Sequence, residues 1–329
     1  MAIPPLPRSR TRRASGAALG LLLAVLGLAV LGLAAPPANA AYDPAAYDPV
    51  VYDPAAIEKS VVQLRIEWSG AVGYDGDHGE VVWLQEPVAY GSSCSGVFVS
   101  ASAHIATAGH CVDNSDPATI GNELAATYLR SQGNTEEQVA QKIGYMWYDE
   151  TTITRTVYAY QSESLQGAVL PARGLVTEVV AFQNLDQGDN ALLRISGFTE
   201  PTPALPVRAG AAAVGDRVTA IGFPALVGTV SEAGRQRASF KSGEVSSVQT
   251  WSSGVAFVEI SAAVSAGMSG GPVVDGNGEV VGCVSFGPGN GQAFNFATTD
   301  LDGFLLAHGV GPASAATPQP VPVQPGTAG

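Results

Sequence analysis

Three side chains, Ser269, His110 and Asp189, stand in settings that suit nucleophilic acyl transfer. Ser269 lies in Gly267-Met268-Ser269-Gly270-Gly271-Pro272. Glycines let a backbone take conformations that other residues resist, and let a substrate carbonyl come close. Successive amides in such a turn can converge on a developing oxyanion, here those of Gly267 and Ser269. A hydroxyl is a weak nucleophile until a base takes its proton, and the chain has 4 histidines. His78 sits in a polar stretch after Asp75-Gly76-Asp77, and His308 belongs to a terminal helical segment. His104 falls in the strand region, just before the motif that holds His110. His110, in Thr107-Ala108-Gly109-His110-Cys111, sits where the apolar run 97–106 gives way to a loop, and is the candidate base. Its second nitrogen must be held as a donor by a sheltered carboxylate. Asp189, opening the apolar stretch Asp189-Asn190-Ala191-Leu192-Leu193, is the candidate, with Asp186 as the alternative.

The elements that must position these residues read as an all-β protein. Short β-branched and apolar runs are separated by turn signals, and 39 glycines punctuate the chain. Strands are expected over 61–68, 81–84, 95–99, 157–160, 176–182, 218–222, 256–260, 280–285 and 293–297. A core of about 250 residues can fill two small β-lobes. One stretch, 122–145, carries helix formers instead, and Thr135 followed by Gln138 resembles a capping box. It is expected as a helical insertion on the surface of the first lobe, with a short helix near 301–308 at the other end. Whether the insertion shapes substrate access or decorates the surface is open at this point.

The ends of the chain read differently. Arg8, Arg10, Arg12 and Arg13 precede an apolar run over 17–35, and Ala38-Asn39-Ala40 has the small-x-small pattern of a signal cleavage site. Residues 1–40 are therefore expected to be a signal peptide and the protein to be secreted. The rival readings are a retained membrane anchor, since about 20 apolar residues span a bilayer, and a twin-arginine address at Arg12-Arg13. Tyr-Asp-Pro recurs at 42–44, 47–49 and 52–54, and 41–57 is expected as an extended tether, with a docking ligand as the other reading. The Pro/Ala-rich tail 312–329 is expected to be disordered. Removing residues 1–40 takes four arginines and no acid from a chain of formal charge −13, leaving −17. That balance excludes nucleic acid as a partner. Three cysteines leave one thiol unpaired if a disulfide forms, and a zinc site lacks its paired Cys or His spacing.

The motifs around His110, Asp189 and Ser269, in that order, resemble the histidine box, aspartate strand and serine box of the chymotrypsin-like serine peptidases. Ala220-Ile221-Gly222-Phe223-Pro224 adds a resemblance to the bacterial HtrA-type members, without a PDZ domain. The resemblance spans about 61–309. It implies two six-stranded antiparallel β-barrels over 58–311, the first to about 200 and the second from about 205, with the site in the cleft between them. It implies a serine endopeptidase acting on polypeptides, expected as a monomer with no cofactor and no metal, the membrane entering only through a retained anchor. It also pairs Cys94 with Cys111, a bridge worth about 3 kcal/mol, and leaves Cys283 as a buried thiol. By resemblance, Val284-Ser285-Phe286-Gly287 is the edge that pairs with substrate, and the pocket is lined near 261–265, including Val264, and by Phe286. With no charge there, a small or medium apolar residue before the scissile bond is expected. Met268 stands where the animal digestive enzymes carry an aspartate that pairs with a new N-terminus, so activity is expected not to depend on such an end. The reading from another class is a protease-shaped surface adhesin that has lost catalysis.

Overall fold

Along Val61–Gly70 (β1) every second side chain is apolar, and period-2 alternation sends Val62, Leu64, Ile66 and Trp68 to one side of the strand. They fill the core of a closed barrel. The computed structural model, which describes residues 52–231, 234–287 and 295–311, continues with Val72–Asp75 (β2), Val81–Trp83 (β3), Val88–Phe98 (β4), His104–Ala108 (β5), Met146–Tyr148 (β6), Thr154–Tyr160 (β7), Leu175–Phe182 (β8) and Asn190–Arg194 (β9). The barrel order is β1-β4-β5-β9-β8-β7, every neighbouring pair antiparallel.

The second lobe uses Arg217–Gly222 (β10), Ser239–Thr250 (β11), Ala256–Ile260 (β12), Pro272–Val274 (β13), Val280–Cys283 (β14) and Asn295–Ala297 (β15). These form a six-stranded sheet in the order β14-β13-β10-β11-β12-β15. It curls until its edges meet: Val284 bridges Ala297, and the Ser285 amide donates to the Phe296 carbonyl at 2.9 Å. The expected double β-barrel is the observed architecture.

A third apolar cluster joins the two lobes. Val61, Val97, Val99, Ala106 and Leu192 of the first lobe pack with Ile221, Phe223, Val274, Val280 and Cys283 of the second. Two helices cap this seam: Pro54–Glu58 (α1) through Ile57, and Leu301–Ala307, the expected terminal helix, through Leu301, Phe304 and Leu305. The third Tyr-Asp-Pro copy is a helix start rather than a tether. The Asp53 carboxylate accepts the Ala55 amide at 2.9 Å, and Pro54 opens the helix. The other two copies, the signal segment and the tail lie outside the described residues. Among the described residues no helix is long and apolar enough to cross a membrane.

The helical insertion begins earlier than expected and is not confined to the surface. Pro117–Ser131 (α2), capped by Asp116, buries Ile120, Leu124 and Ala125 in the core of the first barrel. Its outer turn packs with Glu136–Lys142 (α3), whose Thr135–Gln138 capping box is formed, through Ala126, Leu129 and Val139. A three-stranded sheet, β3-β2-β6, flanks the pair. The apolar run 97–106 is also not one strand. It turns back between β4 and β5 with Ala103 at φ 60°.

Candidate active site

β5 ends at Ala108, and the chain enters a 3-10 turn, Gly109–Cys111. The Gly109 amide donates to the Asp189 carbonyl at 2.9 Å, and a Cβ at Gly109 would stand 1.8 Å from the Gln183 carbonyl oxygen, so only glycine fits. His110 follows, half-exposed. Its amide donates to Asp189 Oδ1 at 2.7 Å, and its ring Nδ1 lies 3.1 Å from Oδ1 and 2.9 Å from Oδ2. Asp189 is fully buried at the mouth of β9, in the left-handed region at φ 56°. The Ser285 hydroxyl also donates to Oδ2. A carboxylate encircled by an amide and a hydroxyl, both donors, takes the ring nitrogen as a third donor. That fixes the proton on Nδ1 and leaves Nε2 as the acceptor. Asp186, the alternative acid, is exposed in the turn Leu185–Gln187. At the far end of the histidine turn the Arg155 guanidinium, lying over Trp68, donates to the Val112 carbonyl.

Ser269 sits in a turn whose carbonyls are anchored one after another. Ala225 N donates to Ala266 O at 2.8 Å, the Ser95 hydroxyl to Gly267 O at 2.8 Å, Gly271 N to Met268 O at 2.9 Å and Ser95 N to Ser269 O at 2.7 Å. The Met268 and Gly270 amides are used as well, on Ser265 O at 3.0 Å and Val284 O at 2.7 Å. Among the described residues the amides of Gly267 and Ser269 make no hydrogen bond. Gly267, at φ 92°, has no room for a Cβ, which would meet the Phe223 carbonyl at 2.5 Å. The Ser269 hydroxyl donates to the Ser285 carbonyl at 3.4 Å, a long bond, so its resting direction is toward Ser285 and not toward the ring.

Cys94 and Cys111 are joined, and the bridge lies between the two turns: Cys111 Sγ is 3.9 Å from His110 Nε2 and 3.8 Å from the Ser269 carbonyl. The sulfurs and His110 fall within 4.8 Å of one another, but disulfide sulfurs are not the thiolates that ligate zinc. Cys283 is a buried free thiol, pushed up to about 12 by burial and then by the Asp189 charge.

The residues expected around the substrate divide. Ser285 serves both turns, through its hydroxyl to Asp189 and its carbonyl to Ser269, a role that strand pattern alone does not signal. Phe286 belongs to an aromatic cluster, 4.8 Å from Trp251, 5.5 Å from Phe257 and 4.9 Å from Phe296 between ring centres. Val264 packs partly buried against the second-lobe core. Gly287 is half-buried at the end of the described segment. Ser95 carried no sequence signal beyond its place after Cys94.

A family model described as a trypsin-like peptidase domain matches residues 94–283, a span that holds both half-cystines and all three candidate residues. No curated protein matches the chain.

Proposed function

The chain belongs to the trypsin-like peptidase family, and from that premise we propose a secreted serine endopeptidase with Ser269 as nucleophile, His110 as general base and Asp189 as its orienting acid. The observation that carries this is the pairing of an imidazole fixed through Nδ1 on a buried carboxylate with a serine turn that offers two amides without a partner among the described residues. In the resting state the Ser269 hydroxyl leans on the Ser285 carbonyl. An extended substrate that donates a backbone N–H to that carbonyl takes over the acceptor, and rotation about χ1 then turns the hydroxyl toward Nε2.

As Oγ attacks the peptide carbonyl, its proton passes to Nε2, and Asp189 stabilises the imidazolium through Nδ1 without itself taking the proton. The carbonyl oxygen becomes an oxyanion facing the Gly267 and Ser269 amides. The proton then goes from Nε2 to the leaving amine as the C–N bond breaks, and water releases the acyl group by the same route reversed. Met268 is fully buried and apolar, so no charged side chain at that position awaits a new N-terminus. Residues 1–40 would direct export.

For specificity, the absence of a charged residue from 261–265 and 284–287 in the sequence supports a small or medium apolar residue before the scissile bond. A cleavage profile dominated by Arg and Lys would overturn that preference. The test of the whole reading is a fluorophosphonate probe on the exported chain beside Ser269→Ala. Labelling of the parent and not of the variant is expected; an unlabelled parent means a binding protein in protease form.

A further inference from the structure

The serine turn is gripped from both barrels, and the grip from the first barrel converges on one residue. Ser95, in β4 and fully buried, donates its hydroxyl to the Gly267 carbonyl at 2.8 Å and accepts the Phe223 amide at 2.9 Å. Its own amide holds the Ser269 carbonyl at 2.7 Å. Its carbonyl takes the Thr107 hydroxyl at 2.7 Å, and its neighbour Cys94 is bridged to Cys111 beside His110. One strand end therefore touches the histidine turn and the serine turn together.

Resting on the serine-peptidase reading above, we propose that Ser95 is a positioning residue for oxyanion stabilisation: its hydroxyl selects the conformation of Gly267 in which the Gly267 and Ser269 amides face the reacting carbonyl. A glycine at φ 92° has other backbone wells close in energy, so its own sterics do not fix the peptide that follows it. The plane before Gly267 is tied by Ala225, and the plane before Ser269 by Gly271. The plane between them is tied at its carbonyl by the Ser95 hydroxyl, the one side-chain anchor of this series among the described residues. A hydroxyl can donate and accept at once, which lets Ser95 satisfy Gly267 and Phe223 together. Without it, a buried carbonyl and a buried amide both lose their partner, and the turn relaxes to recover them. Donors aimed at an oxyanion act only where they are already in place, and misdirecting one costs about 10²–10³-fold in rate when the loss is complete.

The test uses the exported chain with Ser95→Ala and Ser95→Thr, each quantified by fluorophosphonate titration. The readouts are kcat and KM on a succinyl-trialanine p-nitroanilide, and inhibition by the matching trialanine aldehyde, whose hemiacetal presents an oxyanion. Ser95→Ala is expected to lower kcat per titrated site about 10–100-fold with KM within about threefold, and to weaken the aldehyde by a similar factor. Ser95→Thr, which keeps the hydroxyl, is expected to recover most of both. If the alanine variant does not fold, Ser95→Gly removes the same hydroxyl and is read the same way. A variant that melts earlier yet keeps the parent kcat and aldehyde affinity shows a merely structural serine and overturns the proposal, as does a threonine variant as impaired as alanine. A parent chain that does not titrate at all overturns instead the peptidase reading beneath it.

Discussion

An imidazole can accept a proton in a useful direction only while its other nitrogen is committed, and at His110 the commitment is made by a carboxylate that is itself immobilised. Asp189 receives the His110 amide, the ring and the Ser285 hydroxyl, so its two oxygens are saturated with donors and cannot swing away. Asp189→Asn keeps the shape but offers an NH₂ group where Nδ1–H needs an acceptor. The ring is then expected to reverse its tautomer, and kcat to fall about 10⁴-fold. Steady-state hydrolysis at neutral pH checks this, and a loss under tenfold would assign the orientation of the ring to the amide contacts instead. Much of the candidate site could be named from the chain: His110, Asp189 and Ser269 each stood in a short motif whose chemistry could be argued. Ser95 and the side chain of Ser285 were not. A serine in a strand has no pattern of its own, and these two acquire roles only when the barrels bring Gly267 and Asp189 against them.

At the level of elements, legibility followed the density of buried apolar side chains. β1 buries alternate side chains, β12 buries Phe257, Val258 and Ile260, and both were expected nearly as they stand. β11, Ser239–Thr250, has most of its residues exposed or half-buried, so its sequence, with four Ser and single Lys, Glu, Gln and Thr residues, carries no stripe to read. The β4–β5 turn was hidden for another reason: Ala103 adopts a positive φ without the Gly, Asn or Asp that normally marks such a place. The insertion was located from its helix formers, yet its packing was not foreseen, because the residues that reach the barrel, Ile120, Leu124 and Ala125, look no different from the apolar face of any surface helix. That packing makes α2 structural. Leu124→Ala removes a fully buried side chain from the first core, and is expected to cost about 2–5 kcal/mol in urea unfolding. A cost below about 0.5 kcal/mol, the range of surface substitutions, would mean that α2 detaches without consequence to the barrel.

Across the whole molecule the decisive feature is the apolar seam, because the candidate base belongs to one barrel and the candidate nucleophile to the other. Val61, Leu192, Ile221 and Phe223 are shared between the lobes, so neither barrel can open far without exposing that cluster, and the two should unfold as one cooperative unit. Cys283 sits within the seam, and burial together with the Asp189 charge pushes its thiol up to about 12 from an ordinary 9.0. Tyr90, against the first core, is likewise pushed up to about 12 from 10.0, by burial and then by Glu123. Both groups keep a proton in the folded state that the unfolded chain releases. Their contribution to stability is therefore complete below pH 9 and is lost progressively as the pH rises toward 12, since the unfolded state binds fewer protons there. The urea midpoint is accordingly expected to be level from neutral to about pH 9 and to fall above it. In Cys283→Ala the fall should begin later, near the ordinary tyrosine value, because the thiol no longer titrates. Equal alkaline slopes in parent and variant from pH 9 upward would show that the seam admits enough water to charge the thiol, and the tight union of the two barrels would have to be given up.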